Sequence, residues 1–325
     1  MEENTNGMSR SERMQKGGKK KRKGCLKALG VILFIVLGVL GIFLYAYFEL
    51  RQTTDTIYSD VDKDRITHSS RENKKVDLNG DAFSILFLGI DTGDMGRMEQ
   101  GRSDTIMVMT VNPETENSTL VSIPRDTYTE IIGRGTQDKI NHAYAFGGPS
   151  MALNSVQNLL DIPIDYFVSV NMQGIQQIVD AVGGVTITPT MTFSQSGYSF
   201  VEGQPVTMDG AQALAYSRMR SLDGDYARQG RQREVVLSTI SKVASFNSIL
   251  NYQSVLTTME DNVVTNLTFN EMVSVFLNYR PALSNIEQIQ MSGYGTNMGG
   301  IYYEIIPEEE IGSISGQLKS DLGIE

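Results

Sequence analysis

Residues 28–48 form an uncharged run of 21 residues, and no other stretch limits the possible fold as much. A helix rises about 1.5 Å per residue, so about 20 apolar residues cross the roughly 30 Å hydrocarbon core of a bilayer. Residues 1–27 carry nine basic and three acidic side chains, including the run G-K-K-K-R-K-G, and Glu49 follows the apolar stretch. The positive-inside rule then predicts a cytoplasmic N-terminus, a single pass and an extracellular remainder. The run is longer than the apolar part of a signal peptide, and no small-x-small cleavage site follows, so an uncleaved signal anchor is expected. Cys25, the only cysteine, precedes the run, which argues against lipoprotein processing and excludes an intramolecular disulfide framework.

The net charge of −10 therefore hides a basic tail and a strongly acidic body. Such a body is a poor general nucleic-acid binder, because duplex binding rests on neutralising phosphates, and no direct nucleic-acid binding is expected. Two histidines leave little room for a His-based metal site or a Ser-His-Asp triad. Residues 49–80 are rich in Asp, Lys, Ser and Asn and read as an extracellular linker. The predicted organisation is a basic cytoplasmic tail (1–27), a transmembrane signal anchor (28–48), a linker (49–80), an α/β domain (81–245) and a C-terminal α/β extension (246–325).

Within the body, Phe83–Ile90, residues 105–111 and residues 120–123 are apolar runs of strand length. Runs apolar on both faces predict a central sheet covered on both sides. Residues 112–115, N-P-E-T, read as a turn. A helix is expected from Gly147 with Pro149 in its first turn. A strand over 166–170, a helix over 174–182 stopped by Gly183-Gly184, and a strand over 185–188 follow. A loop or hairpin is expected over 193–208, a short capped helix over 209–216 and a long helix from Tyr226 to about Ala244. Thr268 and Glu271 match a capping box. Strands over 286–291 and 301–306 and a helix opened by Pro307 complete an α/β layered pattern.

Five arginines crowd residues 217–234: Arg218, Arg220, Arg228, Arg231 and Arg233. No Lys or Arg occurs between Lys139 and Arg218. On a helix, Arg228, Arg231 and Gln232 share one face. Planar guanidinium forks suit phosphate and pyrophosphate oxygens, although a solvated face paired with Asp223, Asp225 and Glu234 would account for the same charges. Three small polar groups also sit at strand ends: Asp91 in L-G-I-D, Arg102 and Asp104 in R-S-D-T, and Arg125 and Asp126 in P-R-D. Ligands gather at the carboxyl ends of strands in open α/β sheets. Asp104 enters its strand, so it joins the others only if that strand is antiparallel to its neighbours, as short links favour. Two carboxylates brought together favour a hard divalent ion between them, Mg²⁺ or Mn²⁺, especially beside phosphates. Strand-end ion pairs of Arg102 with Asp104 or Asp126, and of Arg125 with Asp91, are the alternative.

The ordered motifs L-G-I-D, R-S-D-T, S-I-P-R-D, K-I-N-H-A-Y-A-F-G-G and S-R-M-R…D-Y-A-R-Q-G-R-Q-R resemble the LytR-CpsA-Psr family over residues 81–244. The resemblance implies a central mixed β-sheet with helices on both faces, preceded by one transmembrane helix, in a Gram-positive cell envelope. It implies a phosphotransferase that moves a glycopolymer, such as a teichoic acid or capsular polysaccharide, from an undecaprenyl pyrophosphate carrier to peptidoglycan. Carried onto matching positions, it implies Asp91 and Asp104 as Mg²⁺ carboxylates, with Asp104 and Arg125 in the catalytic centre. Arg102, Arg125, Arg218, Arg220, Arg228, Arg231 and Gln232 would hold the pyrophosphate, with Lys139 and Asn141 further candidates. An apolar tunnel would hold the lipid, and the helices over 151–160 and 174–182 are candidates to line it. The same residues would serve a lipid-phosphate-binding module without catalysis or a lipid pyrophosphatase. A regulator of envelope gene expression acting indirectly is a further alternative.

Overall fold

The computed structural model describes residues 57–61, 66, 68–71, 75–92, 101–245 and 262–324. The basic tail and the expected membrane anchor lie outside the described residues, among which no helix is long and apolar enough to cross a membrane. The chain runs through β1 (Phe83–Ile90), β2 (Ser103–Asn112), β3 (Asn117–Ser122), β4 (Tyr128–Ile131), β5 (Thr136–Lys139), α1 (His142–Leu160), β6 (Tyr166–Asn171) and α2 (Met172–Ala181). It continues through β7 (Val185–Ile187), β8 (Phe193–Gln195), β9 (Tyr198–Phe200), β10 (Val206–Met208), α3 (Gly210–Arg218) and α4 (Gly224–Ala244). It closes with β11 (Val263–Thr265), α5 (Phe269–Asn278), β12 (Ile286–Gln290), β13 (Tyr294–Met298), β14 (Ile301–Ile305) and α6 (Glu308–Leu322).

The main sheet has the order β11-β6-β1-β2-β3-β12 and is mixed. β2 runs antiparallel to β1 and β3, while β6 is parallel to β1 and β12 is parallel to β3. Strand side chains alternate between faces, and β1 shows the consequence. Leu86, Leu88 and Ile90 join a core with Leu153, Val156 and Leu160 of α1 and Ile314 and Leu318 of α6. Phe83, Ile85 and Phe87 face the other way, toward Val236, Leu237 and Ile240 of α4 and Phe269 and Met272 of α5. Both faces are thus apolar and covered, as the uninterrupted runs require.

Local chemistry explains most element ends. Asp209 caps α3 in a reciprocal box with Gln212, and Thr268 caps α5 in the same way with Glu271. α1 starts earlier than expected, at His142, and kinks at Gly147 and Gly148, so Pro149 opens its second segment rather than the helix itself.

Two boundaries differ from expectation. The described part of residues 262–325 is not an appended extension: β11 and β12 form the two edges of the main sheet, and α5 and α6 cover its opposite faces. The described part of the polar linker is strapped to the body. Ile57 and Val61 are buried, and the Ser59 N–H donates to the Thr265 carbonyl at 2.8 Å. The Arg71 guanidinium forks onto Asp165 at 3.0 and 3.1 Å, two bonds that composition alone cannot reveal.

Candidate active site

The antiparallel placement of β2 brings the end of β1, the start of β2 and the end of β3 to the same end of the sheet. The pairing there is irregular. Gly89 lies opposite Thr105 and Ile90 opposite Ser103, so Asp104 is the extra residue of a β-bulge. A bulge bends its strand and re-aims a side chain. Asp104 Oδ1 reaches Arg125 Nη1 at 3.0 Å. Arg125 also has Asp126 at 3.7 Å and Asp225 at 3.8 Å. Burial works against the Arg125 charge, but Asp104, Asp225 and Asp126 outweigh it and hold its pKa above the ordinary value. Asp91 sits beside this group. Its Oδ1 accepts the Arg102 N–H at 2.7 Å and its own N–H donates to the Arg102 carbonyl at 3.1 Å, leaving the Arg102 side chain exposed. Lys139 binds Asp126 at 2.7 Å.

The arginine stretch arrives from the other side. α3 ends in Arg218, Arg220 is exposed, and Gly224 turns the chain with φ of +87° into α4. The first turns of α4 then enter the site. Arg228 is only 6% exposed, with Nη2 2.7 Å from Asp225. Burial pulls its pKa down, with Asp225 and Asp104 opposing and the neighbouring Arg125 and Arg220 adding to the depression. Arg125 Nε, Arg228 Nε, Gln232 Oε1, Ser103 Oγ and Asn141 Oδ1 are buried without a hydrogen-bond partner. Buried polar atoms are normally satisfied. Here the unpartnered guanidinium N–H groups belong to two neighbouring arginines that share Asp225, and the open donor positions suit an anion.

The helix face expected to gather Arg228, Arg231 and Gln232 divides. Arg231 is 4% exposed, and its two terminal nitrogens bind Asp223 at 2.7 and 2.8 Å and the Met219 carbonyl at 2.6 Å. It lies 5.4 Å from the Phe193 ring centroid and anchors the α3–α4 connection. Arg233 binds Ser122 Oγ at 2.9 Å and Gln290 Oε1 at 2.7 Å, which ties α4 to the sheet.

Behind the arginines lies apolar space between the sheet and α4. A cavity of about 110 Å³ has Arg218 and Gln232 on its wall together with Phe87, Val170, Ile175 and Val236. A second, of about 230 Å³, shares Phe87 and extends past Ile178, Ile240, Val243 and Phe276. α2 thus lines this space as expected. The α1 residues 151–160 do not: Leu153, Val156 and Leu160 belong to the core on the opposite face of the sheet. The main apolar wall is α4, whose Val236, Ile240 and Val243 recur at helical spacing directly after the arginines. That period was available in the sequence as a sign that one helix carries both the charged and the apolar lining.

The LytR_cpsA_psr family model matches residues 44–320. The chain belongs to this family. A relative from Enterococcus faecalis, a polyisoprenyl-teichoic acid–peptidoglycan teichoic acid transferase TagU, is 46% identical over 295 residues, covering 90% of this chain and 95% of its own. The crystal structure of B. subtilis TagU aligns with a TM-score of 0.62 and 45% identity, over 74% of this chain and 97% of that one. A structure of TagT bound to LI-WTA aligns with a TM-score of 0.67 and 32% identity, over 79% of this chain and 97% of that one. Family members of this kind share the mixed sheet described above.

Among the described residues no cluster of three or more His, Cys, Asp or Glu side chains stands ready to hold a metal. Asp91 and Asp104 each have one oxygen engaged, Asp91 Oδ1 by the Arg102 N–H and Asp104 Oδ1 by Arg125, so at most one other oxygen of each would be left for a cation. Mg²⁺ is commonly held by one or two carboxylates with substrate phosphates and water completing the shell. The donor set therefore fits a divalent ion that arrives with a pyrophosphate, not one caged by protein alone.

Proposed function

We propose that this protein transfers a teichoic-acid-type glycopolymer from a polyprenyl pyrophosphate carrier to peptidoglycan at the outer face of the membrane. The observation that carries the reading is the pairing of half-buried Arg125 and buried Arg228, each with an unsatisfied Nε–H, one helical turn from Gln232 on the wall of an apolar cavity. A pyrophosphate on a long prenyl chain matches both halves of that arrangement. The names of the relatives point to the same donor and acceptor. Residues 28–48 would anchor the chain beside its lipid-borne donor, with the tail in the cytoplasm, and so raise the effective concentration of that donor.

In the reaction a hydroxyl of the acceptor glycan attacks the phosphorus that carries the glycopolymer. A new P–O bond forms, the bridging P–O bond of the pyrophosphate breaks, and polyprenyl monophosphate leaves. Such transfers need positioning and charge stabilisation above all. Arg125, Arg228, Arg218 and Arg220 supply charge to the phosphate oxygens, and Arg102 approaches from the β2 side. Asp104, held at the bulge, accepts the hydroxyl proton. Mg²⁺ or Mn²⁺, held by Asp91 and Asp104, would neutralise pyrophosphate charge when bound.

The test uses the full chain in detergent. Mass spectrometry should find co-purifying polyprenyl phosphate in the wild type and none in an Arg218→Ala/Arg228→Ala variant. Transfer from a lipid-linked donor to peptidoglycan should require Mg²⁺. A wild-type protein that binds no polyprenyl pyrophosphate, even when it is added with Mg²⁺, would overturn the proposal.

A further inference from the structure

Helix α4 arranges the site along its axis. Val236 and Gln232 line the apolar passage, Arg228 faces Arg125, and Asp225 touches both arginines. Tyr226, in the first turn, points beyond them to a separate construction. Its hydroxyl donates to Glu304 Oε1 at 2.6 Å and accepts the Gly293 N–H at 3.0 Å. The Tyr302 hydroxyl donates to the other oxygen, Glu304 Oε2, at 2.5 Å. Glu304 is 5% exposed, and its backbone N–H donates to the Asp126 carbonyl at 2.9 Å, which locks the β13–β14 hairpin to the end of β3.

This construction presents an aromatic surface. Tyr302 is 46% exposed and Tyr294, on the same hairpin, 60%. The Tyr302 ring lies over Gly295, where a Cβ would come within 2.6 Å of it. One ring face is thus seated on backbone and the hydroxyl is tied to Glu304, so little side-chain entropy remains to be lost on binding. Lys139 stands 6.0 Å from the Tyr302 ring centroid and 5.7 Å from that of Tyr303. The hydrogen bond to Glu304, with burial adding, pushes the Tyr302 hydroxyl up to about 12, so it stays a donor across the physiological range.

We propose that the Tyr302 ring, held in place by Glu304 and Tyr226, forms the subsite for a sugar ring of the peptidoglycan acceptor. The inference rests on the transfer reading above. In phosphoryl transfer the attacking and leaving oxygens lie roughly in line across the phosphorus. The leaving prenyl phosphate lies toward the cavity at Gln232, so the attacking hydroxyl comes from the opposite side. Tyr302 stands near Asp126 and Asp225, the carboxylates that flank Arg125, beyond the first turn of α4. Its exposed ring offers an apolar face for the C–H groups of a sugar.

The closing experiment measures glycan binding directly. A soluble N-acetylglucosamine–N-acetylmuramic acid oligosaccharide is titrated into the full chain in detergent, with ring-labelled tyrosine followed by NMR. Addition should shift the Tyr302 signal, assigned by its absence in Tyr302→Phe. Tyr302→Ala should weaken binding at least tenfold, and Tyr302→Phe, which keeps the ring, should bind within a few fold of wild type. Co-purified lipid should be unchanged in both, and this readout tests the transfer reading separately. A wild-type Tyr302 ring that does not respond, equal affinity in Tyr302→Ala, or a raised KM for the lipid-linked donor in place of the acceptor would each overturn the subsite.

Discussion

Asp104 Oδ1 and Arg125 Nη1 stand 3.0 Å apart at the strand ends of the main sheet, and the contact joins the bulge of β2 to the segment that follows β3. Arg125 is shared among three carboxylates: Asp104, Asp126 and Asp225. A pyrophosphate entering the site competes with these carboxylates for one guanidinium. Binding therefore redistributes existing ion pairs around Arg125.

Asp104 can be separated from lipid binding. Asp104→Asn keeps the shape of the bulge but cannot take a proton. Transfer should fall by at least about 100-fold, the scale of lost general-base assistance. Polyprenyl phosphate should still co-purify, because the arginines are intact. A single-turnover assay and mass spectrometry on one preparation check both.

A metal requirement should appear at Asp91. Chelation should stop transfer and added Mg²⁺ restore it. Asp91→Ala should raise the Mg²⁺ concentration needed for half-maximal rate, as loss of one of two carboxylate ligands implies. A Mg²⁺ titration of initial rates reads this out.

The passage should measure lipid length. Ile240 lines only the deeper cavity, whereas Arg218 lines the nearer one. Ile240→Trp should exclude long polyprenyl phosphates while a short prenyl pyrophosphate still binds. Competition between chain lengths, followed by mass spectrometry, makes the comparison.

Arg231 should govern stability. It is buried against Asp223 and the Met219 carbonyl. Arg231→Ala leaves both acceptors behind and should cost about 3 kcal/mol, measurable by denaturant unfolding.

The same pair sets an acid limit. The hydrogen bond from Arg231, with burial opposing, holds the Asp223 carboxyl below its ordinary 3.8. A depressed folded-state pKa stabilises above the unfolded value and loses that contribution as pH falls through the folded one. Melting temperature should decline below about pH 4 in the wild type, with a shallower decline in Asp223→Asn.

Much of this molecule was legible in the sequence because β1, β2 and β3 are uninterrupted apolar runs and because Asp209 and Thr268 announce their helices. The antiparallel placement of β2 followed from short links. Other features carry too little local signal. β11 is three residues long, β4 only four, and β5 is polar, so none of the three announces itself. The kink at Gly147 and Gly148 concealed the true start of α1. Helical spacing puts Arg228 and Arg231 on neighbouring positions, but Asp223, just before α4, draws Arg231 toward the α3–α4 connection. A strand apolar on both faces cannot reveal which face borders solid core and which borders open space, so both helices are candidates from sequence, and of the two it is α1 that borders the core.

The bulge in β2 also has a bearing on how such a protein could lose its activity. Ile90 already faces Ser103 and Gly89 already faces Thr105. Deleting Asp104 would therefore bring those pairs into ordinary succession and leave the alternation of Met107 and Val108 between the two faces in phase. The sheet would be mended by the same event that removes its proposed base. On the proposed reading, loss of one codon would leave the fold intact and take the chemistry away.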